Sequence, residues 1–279
     1  MSRLFCCFLL TLFLNTWAGD ERFAQSSMPA GTAEARGTWL ARQVDDRDTG
    51  ADTRVAMRMR LFDRQNRIRE RALTLTAIRG GAGRAVPADR SLTRFTYPND
   101  IKGTGFLVID QPAGDADRFL YLPALGRVRR IAGSEAQESF VGSDFTYEDI
   151  GGREFDDYSY ALLEENAVYT GADGATAPAY RLESRNKAAG ARFPRVVSLV
   201  RKDNFVVVHA EVHNRRGEAQ KIYDARRVER ISGFWTVMEM VMRDQLQRTR
   251  TELVMEKVEY NVGLTPDDVS RRELERGLR

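Results

Sequence analysis

Most of this chain reads as a succession of short β-strands joined by short links. In the run from residue 55 to residue 61, Val, Met, Met and Leu alternate with Ala and two Arg, the period-two pattern of a strand with one dry face. Similar runs continue to residue 260, separated by Gly, Pro, Asp and Asn. Because parallel neighbours need long crossovers, the short links predict one antiparallel sheet of about eleven strands.

Only two segments predict helices. Residues 32–46 carry apolar side chains three to four apart, interrupted by Gly37, and Thr265-Pro266 opens a short helix near the end of the chain. A single long sheet must curl, and its concave face must be filled or covered. The predicted fold is therefore mainly β, a single curved antiparallel sheet with helices over its concave face. The uncovered part of that face is a candidate cavity.

The first 18 residues have the pattern of a secretory signal peptide. Arg3 precedes an apolar run that is too short to span a bilayer, and Ala18 provides a small residue for cleavage. A retained membrane anchor is the alternative. Residues 19–31 are polar and small and predict a flexible lead, and residues 32–279 are predicted to form a single domain. Both cysteines, Cys6 and Cys7, fall in the signal segment, so we expect no disulfide or cysteine-bound metal in the mature chain.

Charge and motifs argue against nucleic acid binding and against catalysis. Forty-three basic residues face forty acidic ones, a net charge of +3 that creates no strong long-range field. His209 and His213 are four apart on a predicted strand and thus ~13 Å from each other, too far to share a metal. There is no G-x-S-x-G nucleophile turn. We expect neither an enzyme nor a cofactor; a hydrolase that uses one of these histidines is the alternative.

The methionines of the predicted sheet suggest a surface for varied apolar ligands. Each lies in strand phase, and unbranched thioethers adapt to irregular shapes. Together with aromatic and aliphatic neighbours they give a set of candidate cavity residues: Met57, Met59, Phe106, Val108, Tyr121, Phe234, Met238, Met240 and Met242. Ordinary core packing is the alternative for each one taken singly.

A basic cluster and an acidic cluster lie close together in the sequence. Arg127, Arg129 and Arg130 form the basic one, a candidate surface for a partner. The acidic cluster comprises Asp144, Glu148, Asp149, Glu154, Asp156 and Asp157. We expect the two clusters to pair across strands at the mouth of the sheet. Calcium binding by the carboxylates is the alternative.

Several longer motifs resemble those of outer-membrane lipoprotein-sorting proteins, the LolA-like periplasmic carriers. The resemblance is most specific at DIKGTGF (100–106), YLPALGRVRRI (121–131) and SFVGSDFTYED (139–149). Two later segments, ISGFWT (231–236) and NVGLT (261–265), also resemble the family. The motifs themselves assign no ligand-binding residue.

The resemblance implies a LolA/LolB-like half-barrel whose concave face is covered by helices. It implies a periplasmic carrier that binds the acyl chains of a lipid or lipoprotein in an apolar cavity and shuttles it towards the outer membrane. An inner-membrane transporter of the resistance–nodulation–division (RND) class is the implied partner, and we expect a monomer. A non-carrier accessory subunit docked on a membrane transporter is the alternative.

Overall fold

The alternating segments form strands of one antiparallel sheet in the computed structural model, which describes residues 27–111 and 114–276. The strands are β1 (Asp52–Phe62), β2 (Ile68–Ile78), β3 (Arg90–Tyr97), β4 (Gly105–Ile109), β5 (Asp117–Leu122), β6 (Arg127–Arg130), β7 (Tyr158–Thr170), β8 (Thr176–Asn186), β9 (Arg195–Arg201), β10 (Val207–His213), β11 (Ala219–Ile231), β12 (Phe234–Asp244) and β13 (Thr249–Tyr260). The α-helices are α1 (Ala33–Asp45), α2 (Tyr147–Gly151) and α3 (Arg271–Arg276). The predicted signal peptide, residues 1–18, lies outside the described residues.

The thirteen strands are ordered β6-β5-β4-β3-β2-β1-β13-β12-β11-β10-β9-β8-β7. The pairing of β1 with β13 joins two halves of the sheet, and β6 and β7 are its two edges. The prediction of a mainly β fold with one open antiparallel sheet is confirmed. Its count of about eleven strands is two short of the thirteen observed.

The register of the strands identifies one face that runs across the whole sheet. Residues paired directly across antiparallel strands point to the same side. A chain of such pairs leads from β1 to β7, through Leu61, Thr251, Met242, Tyr223, Ala210, Ser198, Leu182 and Leu162. We call the side that these residues share the inner face.

Two segments cover the inner face, one on each half of the sheet. Leu40 and Ala41 of α1 pack against Leu162 and Leu182 on the β7–β9 side. The residues that connect β6 to β7, 131–157, pack against the half that contains β1 to β5. We call this segment the β6–β7 link. Among residues 27–111 and 114–276, no helix is long and apolar enough to cross a membrane.

Helix α1 lies very close to the sheet. It begins after Thr32, whose side chain accepts a hydrogen bond from the Ala35 amide, and it ends before Asp46. Gly37 is buried in the middle of the helix. A Cβ atom at that position would lie 2.5 Å from the Cα atom of Ala161 on β7. The glycine that interrupts the apolar pattern is therefore the residue that allows the close contact.

The C-terminal segment packs on the opposite face of β2 to β5. Leu274 of α3 is fully buried in a cluster with Leu107 of β4. Arg94 fixes the end of the helix, because its Nη2 atom donates a 2.6 Å hydrogen bond to the Glu273 carbonyl. Asp52 accepts hydrogen bonds from the amides of three consecutive residues, 262–264. The polar contacts bring the chain back to the start of β1.

Candidate functional site

Several of the predicted cavity residues lie together on the inner face. Met57, Met59, Phe106, Val108 and Met242 belong to one buried cluster, and a partly buried Met240 packs against it. The cluster spans β1, β4 and β12, which are far apart in sequence. Strand phase in the sequence therefore selected residues that the fold brings to one apolar surface.

The remaining three candidates have different surroundings. Met238 is buried, and Phe234 lies at the start of β12 with its ring centroid 4.6 Å from that of Tyr260. Tyr121 lies on the opposite face of β5, where it packs against the cluster that contains Leu107. Its assignment to the same surface as the methionines was wrong, because β5 is apolar on both faces and phase alone does not select a side.

The β6–β7 link occupies the hollow beside the methionines. The Phe140 side chain is fully buried there, with ring centroids 5.7 Å from Phe95, 5.7 Å from Phe106 and 5.6 Å from Tyr147. Phe145 belongs to the same cluster. The apolar centre of the inner face is thus filled by the protein's own aromatic side chains in this structure.

Side-chain contacts hold the link against the sheet. Arg71 donates a 2.7 Å hydrogen bond to the Val141 carbonyl, and the buried Lys221 ammonium donates to the Asp144 carbonyl. The Asp144 carboxylate accepts hydrogen bonds from the hydroxyls of Thr249 and Thr251 on β13. Burial raises the pKa of the Asp144 carboxyl and lowers the pKa of Lys221. Within the described residues, the link forms one isolated β-bridge, between its own residues Ser139 and Thr146, and it does not pair as a strand with the sheet.

A cavity of about 610 Å³ opens between the end of α1 and the residues that follow α2. Its size falls within the range of ~300–1,000 Å³ that is usual for ligand pockets. Val108, Ile150 and Ala77 give it an apolar part, and Val108 and Ile150 connect it to the buried cluster of the inner face. Its other walls are polar: Asp45, Arg47, Thr49, Asp52, Arg79, Asp89, Asp110, Arg153 and Glu154 are among the residues that line them.

Two charged groups that line this cavity have no oppositely charged partner among the described residues. Burial, together with the nearby Glu154 and Asp89 carboxylates, raises the pKa of Asp110 to about 6. Burial lowers the pKa of Arg47, whose Nη1 atom donates a 3.3 Å hydrogen bond to the Trp235 carbonyl. Arg79, which also lines the cavity, donates hydrogen bonds to the carbonyls of Arg47 and Asp45.

A smaller cavity of about 260 Å³ lies at the other end of β1. Asp144, Lys221 and Asp244 line it together with Leu61 and Arg192. Lys221, Asp144 and Arg192 hold the β6–β7 link on the sheet. Asp244 instead accepts hydrogen bonds from the amides of Leu246 and Gln247 in the turn after β12.

The predicted partner surface is partly neutralised within the protein. Arg129 pairs with Glu135 at 2.7 Å and Arg130 pairs with Asp117 at 2.7 Å, whereas Arg127 is exposed. The expected pairing of these arginines with the acidic cluster was wrong.

The acidic cluster has its partners elsewhere. Asp149 pairs with Arg153 of the same link, and Glu154 pairs with Arg118 on β5. No group of three or more metal-ligating side chains occurs in the described part of the chain. Strand phase could have revealed Asp110, which continues the inner-face positions 106 and 108, but no local signal pointed to Arg47.

Comparisons with known proteins place the chain in a family. A family model described as "uncharacterized protein" matches residues 87–276. A structure of a DUF1329 family protein from Desulfovibrio piger is 29% identical, with a TM-score of 0.76, and the match covers 88% of this chain and 100% of that one. A domain named for outer membrane lipoprotein sorting, from Vibrio parahaemolyticus, is 26% identical with a TM-score of 0.75, covering 86% and 99% of the two chains.

A LolA superfamily protein from Nitrosomonas europaea has the same fold at 17% identity, with a TM-score of 0.64 and coverage of 88% and 100%. Comparison with curated proteins gives no match. The family match extends over more than half of the chain, and its structural neighbours carry lipoprotein-sorting and LolA names. The chain belongs to the family of this model, and it shares the fold of the LolA superfamily protein.

Proposed function

We propose that this protein is a periplasmic carrier that binds acyl chains of a lipid or lipoprotein on its inner face and moves them towards the outer membrane. The observation that carries the proposal is the construction of that face. The β6–β7 link covers an apolar surface that contains Met57, Met59 and Met242. Side-chain contacts hold the link in place, and it forms no strand ladder with the sheet within residues 131–157. Such a cover can leave without breaking the sheet.

Loading requires the β6–β7 link to move. In the closed arrangement Phe140 and Phe145 occupy the space that a chain would use. An acyl chain replaces these contacts with its own, at ~0.8 kcal/mol for each buried methylene. Two long chains therefore offset the loss of a few aromatic contacts, and the methionines adapt to chains of different length.

Native mass spectrometry of the purified protein tests the proposal. After incubation with mixed phospholipids, we expect lipid-sized adducts on the wild-type protein. Met240→Glu places a charge on the inner face and should abolish the adducts, since burying an unpaired carboxylate opposes apolar binding. Leu246→Glu is the matched control, because Leu246 is 57% exposed in the turn between β12 and β13. A protein that never takes up lipid, or a Met240→Glu variant that binds like the wild type, contradicts the proposal.

The proposal also covers processing, domain organisation, oligomeric state and a partner. We propose cleavage of residues 1–18, a flexible lead over 19–31, a single carrier domain over 32–279, a monomeric state and no catalytic activity. Arg127, Arg129 and Arg130 on edge strand β6 remain our candidate surface for an inner-membrane RND-class transporter. Co-purification from membranes that is lost in an Arg127→Glu variant supports this partner surface, and co-purification unaffected by that change removes it.

A further inference from the structure

The 610 Å³ cavity contains a guanidinium that has no carboxylate partner. Arg47 has five N–H donors to satisfy, and its side-chain hydrogen bond within residues 27–111 and 114–276 is the one to the Trp235 carbonyl. The charged or ionisable groups that influence it most are the Tyr260 and Tyr223 phenols and the guanidinium of Arg79. No ion pair in the described chain neutralises its charge.

The same cavity contains a carboxyl group that has no cationic partner. Asp110 follows Phe106 and Val108 in strand phase and lines the cavity on the β3–β4 side. Its carboxyl has no hydrogen bond or ion pair to any described residue. The groups that surround it are mostly acidic: Glu154, Asp89 and Asp45, with Arg118 as the one cation. Arg118 is already engaged by Glu154, at 2.7 Å.

The other charged lining residues are satisfied within the protein or point elsewhere. Asp52 accepts three backbone amides, and Arg153 pairs with Asp149 at 2.8 Å. Arg79 donates to two carbonyls and lies 3.8 Å from Asp89. Arg90, whose Nε atom is buried without a hydrogen-bond partner, is paired in register with Ile78 and Ile109 and belongs with them to the opposite face of the sheet. Arg47 and Asp110 are thus two lining groups without a counter-charge.

We propose that this cavity binds the zwitterionic headgroup of a lipid, with the phosphate at Arg47, the ammonium at Asp110, and the acyl chains directed past Val108 and Ile150. The inference deepens the proposed carrier function and rests on it. Guanidinium groups bind phosphate through paired hydrogen bonds, and a carboxylate is the natural acceptor for a primary ammonium. A purely anionic lipid would leave Asp110 unmatched, and a neutral glyceride would leave both groups unmatched, which is unfavourable in a partly buried site.

Binding of short-chain lipids to the full chain tests the headgroup assignment. The probes are phosphatidylethanolamine, phosphatidylglycerol and diacylglycerol with identical acyl chains, each competing with a fluorescent fatty-acyl probe. We expect the wild type to bind phosphatidylethanolamine at least about 10-fold more tightly than either of the other two lipids. One additional hydrogen bond to a charged group accounts for a difference of this size. Arg47→Gln should weaken both phospholipids about 10-fold. Asp110→Asn should weaken phosphatidylethanolamine and leave phosphatidylglycerol unchanged or tighter.

Exposed residues provide the controls. Arg84→Gln and Asp267→Asn remove the same charges on the surface and should change none of the affinities. Equal affinity for the three lipids, or equal effects of Asp110→Asn on both phospholipids, overturns the headgroup assignment while the carrier function stands. Failure of the fatty-acyl probe itself to bind overturns the carrier function and this assignment together. Arg47→Lys retains the charge and should keep most of the phosphate affinity, which separates a charge effect from misfolding.

Discussion

Truncation of Phe140 tests whether the β6–β7 link fills the cargo space. The ring is fully buried and contacts Phe95, Phe106 and Tyr147. Phe140→Ala removes these contacts and leaves a void beside the inner-face cluster, which lowers the free energy of unfolding by about 3–5 kcal/mol. For a chain of this length, a loss of about 3 kcal/mol lowers the Tm by roughly 6–12 °C. Thermal unfolding followed by circular dichroism measures the change.

The void distinguishes a cargo site from an ordinary core. Because it adjoins Phe106 and the cluster of Met57 and Met59, an acyl chain can occupy the space that the ring leaves. Added phospholipid should then stabilise the Phe140→Ala variant more than the wild type. A ligand at 100 times its Kd contributes about 2.7 kcal/mol through binding to the folded state alone. The variant should therefore recover most of the lost Tm in the presence of lipid.

Leu107→Ala is the control for this experiment. Leu107 is as deeply buried as Phe140 and lies on the same strand as Phe106, but it packs on the opposite face. Its truncation should destabilise the protein by about 2–5 kcal/mol without recovery in lipid. Equal recovery of both variants, or no recovery of Phe140→Ala, refutes the claim that the link and the cargo share one space.

Three further perturbations have defined outcomes. Gly37→Ala should destabilise the protein by about 1–3 kcal/mol in chemical denaturation, because its Cβ would meet the Ala161 backbone; a gain of about 1 kcal/mol, as helix propensity alone predicts, would count against the close contact. Asp52→Ala removes the acceptor for three amides and should cost about 1–3 kcal/mol, with faster hydrogen exchange at residues 261–276; unchanged exchange there refutes the anchoring role. Asp110 has a folded pKa of about 6, above its unfolded value near ~3.9, so the folded protein binds the extra proton and stability falls as pH rises from about 4 to about 6. Asp110→Asn should remove that fall and, allowing for partial exposure, stabilise the protein by about 1–2 kcal/mol at pH 7; an unchanged pH profile contradicts the assignment.

The sequence predicted the sheet well because period-two alternation is a local signal. β1 and β12 each show it without help from the rest of the chain, and the short turns then require antiparallel pairing. The predicted helix start at Thr265-Pro266 also depends on neighbouring residues alone, and Thr265 and Asp268 form a capping box there, on a 3-10 turn.

The predictions that were wrong concern features that depend on contacts between residues far apart in the sequence. Nothing in the local pattern of the β6–β7 link shows that Phe140 packs on strands β3 and β4, because the link has no period and consists of one short α-helix, three 3-10 turns and irregular chain. The face of Tyr121 was ambiguous because its neighbours Leu120 and Leu122 are also apolar. Arg129 pairs with Glu135 of the link, whose path the sequence does not encode in any regular pattern, and Arg130 pairs with Asp117 on the neighbouring strand β5.

Photo-crosslinking with a lipid that carries a diazirine on its acyl chain shows directly where the cargo lies on the protein. Peptide mapping by mass spectrometry then locates the labelled residues. We expect label on the inner-face strands β1, β12 and β13 and on residues 131–157, with loss of that label in Met240→Glu. Label concentrated on the opposite face, around Leu107 and α3, or spread evenly over the surface, would contradict the claim that the methionine-rich inner face holds the cargo.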